Sequence, residues 1–112
     1  MTRMRREPGL DILTITSGQQ TSNEAVDARE YAMFQILLPA VLTSTAITFT
    51  TSSKAGGTYQ AFSDSTGAAV SITVAQGKNY DLPTALASSA FFKIVLGTAE
   101  GAGRTIEITK KG

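Results

Sequence analysis

Short runs in which apolar and hydroxyl-bearing residues alternate constrain this chain more than any other feature of its sequence. In the clearest run, residues 46–51, Ile47 and Phe49 alternate with threonines. Because successive side chains of a β-strand point to opposite faces, this period of two places Ile47 and Phe49 in a core and the threonines outside it. Residues 70–74 and 91–96 alternate in the same way, and no stretch sustains the period of an amphipathic helix.

Further strands and turns are predicted around these runs. The additional strands are residues 10–16, 31–38, 58–62, 79–82 and 104–109. Glycine-containing turns predict one hairpin that joins 46–51 to 58–62 and a closing hairpin that joins 91–96 to 104–109. Residues 22–26 fit either a capped helical turn or an edge strand, and residues 83–87 fit one helical turn that begins near Pro83.

Short strands separated by turns, in a chain of 112 residues, predict an all-β fold, namely a single-domain antiparallel β-sandwich or jelly roll. We place the sandwich domain at residues 10–112. Residues 1–9 form a flexible, basic, extended N-terminal arm in this prediction, because three arginines there precede a Pro-Gly pair. The predicted inward-facing residues are Ile15, Phe34, Ile36, Leu38, Ile47, Phe49, Ile72, Val74, Phe92, Ile94, Ile106 and Ile108.

The residue types that the chain lacks bear most directly on catalysis. It contains no His and no Cys, so the commonest general base and the thiolate nucleophile are both absent. A Ser or Thr nucleophile would need a lysine as its base, and no lysine lies in a recognisable nucleophile motif. Residues 64–67 (DSTG) are better explained as a turn than as an aspartic-protease motif, and the carboxylates, Glu100 included, as solvated surface charges. We therefore predict a protein that is not an enzyme and has no catalytic residues.

The sequence also predicts no cofactor, no metal site, no nucleic-acid partner and no membrane partner. No segment has the carboxylate spacing of a calcium-binding EF-hand, and the glycines near residue 102 lack the ending of a phosphate-binding loop. The formal net charge is +1, and the basic residues form no broad stripe that would neutralise phosphates. The apolar runs are far shorter than the roughly 20 residues needed to span a bilayer, and the start of the chain does not resemble a signal peptide.

The N-terminal arm carries the predicted partner-binding residues, Arg3, Arg5 and Arg6. Two interpretations of this arm stay open. It is either a disordered, solubilising end or a segment that docks on an acidic partner and becomes ordered on binding. Arginine can form bidentate contacts with carboxylates, and an extended arm reaches across a neighbour's surface.

A series of short sequence segments, each typical of a strand or a turn, runs through the last two thirds of the chain. The segments are ILLP at 36–39, TAITF at 45–49, GTYQ at 57–60, FKI at 92–94, GTA at 97–99 and RTI at 104–106. In this order they resemble small structural proteins of tailed bacteriophages, especially β-sandwich capsid decoration (cement) proteins. The series contains no catalytic signature.

This resemblance implies a virion protein that is made in the host cytoplasm and located on the capsid surface. It would bind the outer surface of the assembled head, contact major capsid subunits and stabilise them, as a homo-oligomer, either a trimer or a dimer. Two alternatives remain from the sequence. The first is another virion component, such as a head fibre base or a neck or tail adaptor. The second is a carbohydrate-binding module, against which the scarcity of aromatic residues argues, since the chain has three tyrosines and no Trp.

Overall fold

The structure is a computed structural model, and it describes residues 9–112. Nine strands and one short 3₁₀ segment, Thr84–Ser88, account for its regular structure. The strands are β1 (Gly9–Ile15), β2 (Val26–Asp27), β3 (Met33–Leu37), β4 (Ala46–Ser52), β5 (Gln60–Ala61), β6 (Ser71–Thr73), β7 (Asn79–Asp81), β8 (Phe91–Leu96) and β9 (Arg104–Lys111). No helix in this part of the chain is long and apolar enough to cross a membrane.

The strands form two antiparallel sheets, as the sequence predicts. The first sheet has the order β1-β9-β3-β7. The second has the order β2-β8-β4-β5, and β6 also pairs with β4. The long central pairings are β1 with β9 and β3 with β9 in the first sheet, and β4 with β8 in the second. The all-β antiparallel fold is therefore confirmed.

The two sheets enclose one hydrophobic core, in which Phe92 of β8 is fully buried. The ring of Phe92 meets Phe34 of the opposite sheet edge-to-face, with ring centroids 5.3 Å apart. On the other side it meets Phe49 of the neighbouring strand β4 at 6.1 Å, in the same geometry. Edge-to-face aromatic pairs add about 0.5–1.5 kcal/mol to the effect of buried area. This contact therefore links the two sheets.

Eleven of the twelve predicted inward residues are buried, and Ile72 is only half-buried. Ile72 lies on the three-residue strand β6, which pairs with one end of β4 at the margin of its sheet, so less of the molecule covers it. The core also contains residues outside that named set: Leu13, Val26, Ala28, Leu42, Leu82, Leu86 and Leu96. Several of these belong to loops or very short elements, where no period of two develops.

Local structure settles three of the predicted features. Residues 22–26 are not helical; this stretch leads into the edge strand β2. A 3₁₀ segment follows Pro83, in agreement with the predicted helical turn. Residues 64–67 form a turn, in which one carboxylate oxygen of Asp64 accepts hydrogen bonds from the amides of Thr66 and Ala68, and Gly67 has a φ of 88°.

The predicted closing hairpin between residues 91–96 and 104–109 is wrong. β8 lies in the second sheet between β2 and β4, whereas β9 lies in the first sheet between β1 and β3. Residues 97–103 therefore cross from one sheet to the other. The local turn signal is real, but β9 pairs instead with β1, nearly a hundred residues earlier in the chain, through all seven residues of β1.

A buried carboxylate, Glu100, fastens this crossing segment to the loop before β4. One oxygen accepts hydrogen bonds from the amide of Thr43 and from Nε of Arg104, both at 2.9 Å. The other accepts from the amide and the hydroxyl of Ser44, at 2.9 and 2.8 Å. Burial by itself would raise the pKa of Glu100, but these hydrogen bonds outweigh it and lower the pKa to about 2. The sequence-based view of Glu100 as a solvated surface charge is therefore wrong.

At the other end of the sandwich, Lys110 of β9 joins the two sheets. Its ammonium lies 2.9 Å from Oδ2 of Asp11 on β1 and donates to the carbonyl oxygen of Asp27 on β2 at 3.2 Å. It also lies 4.5 Å from the centre of the Tyr31 ring. A side chain at Gly9 would meet both Lys110 and Tyr31 at about 3 Å, so a larger residue where β1 begins would force these two side chains to shift. The arm boundary predicted at residue 9 thus falls one residue inside β1.

The Glu100 contacts predict a pH-dependent contribution to stability. Because the pKa of Glu100 is lower in the folded protein than its ordinary value of 4.5, this contribution is complete above pH 4.5 and is lost as the pH falls towards 2. The substitution Glu100→Gln should lower the free energy of unfolding by about 2–4 kcal/mol at neutral pH, because an amide cannot accept all four hydrogen bonds. Urea unfolding of both proteins at several pH values measures the difference, which should shrink below pH 4.5. A difference that is constant with pH would contradict this account.

The Lys110 contacts predict a coupled pair. Lys110→Met should lower the free energy of unfolding by about 2 kcal/mol, because it leaves the largely buried Asp11 carboxylate without a counterion. Asp11→Asn is the matched partner variant, and the double variant should cost clearly less than the sum of the two single changes. Chemical denaturation of the four proteins completes the cycle. Strictly additive costs would show that Asp11 and Lys110 do not interact.

Candidate protein-binding surface

The sheet edges differ greatly in length. Strands β2, β5, β6 and β7, which border the two sheets elsewhere, contain two or three residues each, whereas β1 contains seven. Natural proteins commonly protect sheet edges by keeping them short or by placing charges and prolines on them. Strand β1, with the sequence GLDILTI, contains no proline, and its one charged residue, Asp11, is paired with Lys110 of the neighbouring strand. It is therefore the main open edge in the described part of the molecule.

Residues 23 and 24 cover the last part of the open side of strand β1. The carboxylate of Glu24 accepts hydrogen bonds from the amide of Thr14 at 2.6 Å and from its hydroxyl. The amide of Asn23 donates to the carbonyl oxygen of Thr14 at 2.9 Å. The hydrogen bond from the Thr14 amide is the largest influence on the pKa of Glu24 and lowers it, so this carboxylate is charged at neutral pH.

The first part of the open side of strand β1 has no such cover. In an antiparallel strand the amide and carbonyl of one residue point to the same side, and every second residue points the same way. The backbone groups of Thr14 point away from β9, because they bind Asn23 and Glu24, so those of Leu10 and Ile12 also point away from β9. Within residues 9–112, Leu10 and Ile12 therefore present unpaired backbone donors and acceptors at the edge.

The side chains beside these open backbone groups are large and apolar. Leu10 is 55% exposed and Ile12 is 53% exposed. Both lie on the outward face of the first sheet, because the inward positions of β1 are taken by the buried Leu13 and Ile15. We call Leu10 and Ile12, with their unpaired backbone groups, the β1 edge.

The same outward face continues across β9 to β3. A shallow groove of about 430 Å³ lies there, lined by Met33, Phe34, Gln35, Asp81, Thr109, Lys110 and Lys111. Met33, which is 50% exposed, is the large exposed apolar side chain among these residues. Lys111 and Asp81 provide charges of opposite sign at its margin. We call this region the outer groove; it lies beside the point where the chain enters β1, since Gly9 pairs with Lys110.

The predicted partner-binding residues, Arg3, Arg5 and Arg6, lie outside the residues that the structure describes. Their attachment point, Gly9, is next to the outer groove and at the start of the β1 edge. Sequence analysis did not select the exposed residues Leu10, Ile12 and Met33. The signal was present in β1, where apolar residues stand at 10, 12, 13 and 15, so both faces of the strand carry aliphatic side chains.

The three tyrosines considered for glycan binding are all half-buried and occupied by the protein itself. Tyr31 packs under Lys110, and the hydroxyl of Tyr59 donates to the carbonyl oxygen of Ala55 at 2.7 Å. The hydroxyl of Tyr80 accepts from the amide of Ala75 at 2.9 Å. These tyrosines do not form an exposed aromatic platform of the kind that stacks on sugars.

No chemical constellation stands out elsewhere in the described residues. No group of three or more acidic side chains lies close enough together to hold a metal ion there. Asp27 has a pKa lowered to about 2, mainly by its hydrogen bond from the side chain of Arg29, and both side chains lie at the surface. The strongest candidates for function are therefore the β1 edge and the outer groove.

Comparison with known proteins yields a match of fold. No family model matches this sequence, and no curated protein matches it. The crystal structure of the SPBc2 prophage-derived protein YomS is similar over 99% of this chain and 100% of that one, with a TM-score of 0.59 and 12% sequence identity. At this identity the likeness shows that the two chains share a fold.

Proposed function

We propose that this protein is a structural component of a phage virion, and specifically a decoration protein that binds the outer capsid surface and stabilises contacts between major capsid subunits. Two independent lines support the proposal. The series of strand and turn segments in the sequence resembles that of phage decoration proteins. In addition, a protein of the same fold comes from a prophage.

The observation that carries the proposal is the outer groove with its exposed methionine. A half-exposed Met33 in a shallow depression, surrounded by Gln35, Thr109 and the charged residues Asp81 and Lys111, has the composition of a protein-binding patch. Methionine is enriched in such patches because its flexible side chain adapts to a partner surface. The opposite charges at the margin can set the orientation of the partner.

The same groove is poorly equipped for chemistry, which supports a binding role rather than catalysis. Its one buried titratable group, Lys110, is already held by the carboxylate of Asp11 and the carbonyl oxygen of Asp27. Activation of a hydroxyl nucleophile requires a base that is free to accept a proton. Because the Lys110 ammonium is engaged by the Asp11 carboxylate and the Asp27 carbonyl oxygen, it is not available as that base.

The proposal predicts that Met33→Lys weakens binding to purified, undecorated capsids by about tenfold or more, because it places a charge in the apolar part of the contact. Val41→Lys is the matched control, since Val41 is 60% exposed and lies beyond the opposite end of β3. Co-sedimentation with capsids measures both affinities, and thermal unfolding checks that both variants fold.

The experiment also separates this proposal from its rivals. The proposal is supported if the native chain and the Val41→Lys variant bind capsids and the Met33→Lys variant does not. Binding to isolated tails or necks, with none to capsids, would favour the adaptor alternative and overturn the decoration role. Equal loss with both variants would show that the outer groove is not the contact.

A further inference from the structure

We propose that the β1 edge binds the β1 edge of a second copy of this chain, in antiparallel orientation about a twofold axis. The two four-stranded sheets then form one continuous eight-stranded sheet. This inference goes beyond the proposed function and does not depend on it, because such a dimer forms without any capsid.

The first argument is the cost of leaving this edge bare. A seven-residue edge strand with unpaired backbone groups and two half-exposed aliphatic side chains is a template for strand addition. Pairing supplies partners for both backbone groups of Leu10 and for the amide of Ile12. It also removes both side chains from water on the same face of the sheet.

The second argument is that the geometry limits the pairing to one part of β1. Asn23 and Glu24 already occupy the backbone groups of Thr14, so an added strand can pair only with the first half of β1. In a twofold antiparallel pair, residues whose backbone groups point to the edge must face each other. The axis therefore passes beside Leu10 or beside Asp11.

The charges on the inward face select the first of these registers. With the axis beside Asp11, the two Asp11 carboxylates would face each other directly, which is unfavourable for like charges. With the axis beside Leu10, each Leu10 faces Leu10 of the second copy, and Asp11 faces the second copy's Gly9.

The third argument identifies the occupant as a second copy. Residues 1–8 precede β1 directly in the sequence. They carry Arg3, Arg5 and Arg6, whereas Glu24 is a charged, exposed carboxylate at the end of the available edge. The basic arm and this carboxylate are complementary in charge, and a twofold axis forms the contact twice.

The first test measures the mass of the native chain over a range of concentrations by sedimentation. We expect a reversible dimer of twice 11.8 kDa. Leu10→Lys and Ile12→Lys should each weaken it by about tenfold or more. Met33→Lys is the matched control, because Met33 has similar exposure on the same face but lies two strands from the edge, and it should leave the dimer unchanged.

Thermal unfolding shows whether the lysine variants fold, and amide hydrogen exchange of the native chain gives a test that needs no variant. The amides of Leu10 and Ile12 should become protected as the protein concentration rises. Removal of residues 1–7, or Glu24→Gln, should weaken the dimer and reduce its sensitivity to salt.

Three results would overturn the inference. The first is that the native chain stays monomeric at every concentration. The second is that the Leu10→Lys and Ile12→Lys variants fold and still dimerise as the native chain does, and the third is that the amides of Leu10 and Ile12 exchange freely in the dimer. Failure of capsid binding with an intact dimer would contradict only the proposed function. Conversely, a monomer that still binds capsids through Met33 would contradict only the dimer.

Discussion

The contact of Phe92 with Phe34 and Phe49 is the interaction on which the rest of this fold depends. It brings β3 of the first sheet against β8 and β4 of the second within the core. Replacing a large buried aromatic residue by alanine typically costs about 3–5 kcal/mol, which is a large part of the stability of a domain of this size. With no Cys in the chain, packing and hydrogen bonds must hold the two sheets together without a covalent link.

Two buried charged groups complete the closure of the sandwich, one at each end. Glu100 is surrounded by donors from the loop before β4 and from Arg104, so its charge is fully compensated. Lys110 is compensated by a carboxylate, a carbonyl oxygen and an aromatic face from three different elements. Because each group must reach several partners at once, these contacts specify how the sheets are aligned in a way that apolar packing alone does not. The second of them also shapes the outer groove.

The sequence predicts most of the fold because the strands are amphipathic. The alternation around Ile47 and Phe49 correctly identified β4, and similar patterns located β8 and β9. What it missed depends on pairing between distant parts of the chain. The turn at 97–103 has the local composition of a hairpin, and nothing nearby in sequence reveals that β9 pairs with β1 instead. Burial of Glu100 likewise results from a loop more than fifty residues earlier. The outer groove was missed for a related reason, since Met33 and Lys111 meet only through the β3–β9 pairing.

The rigid turn at Asp64 has a practical consequence. One carboxylate oxygen holds the amides of Thr66 and Ala68, and the turn projects from the second sheet, on the opposite layer of the sandwich from the outer groove. A foreign epitope grafted at this site would leave both the core and the first sheet untouched. If the protein coats a particle, each copy would then present that epitope in a fixed setting, which makes the turn a natural attachment point for a display scaffold.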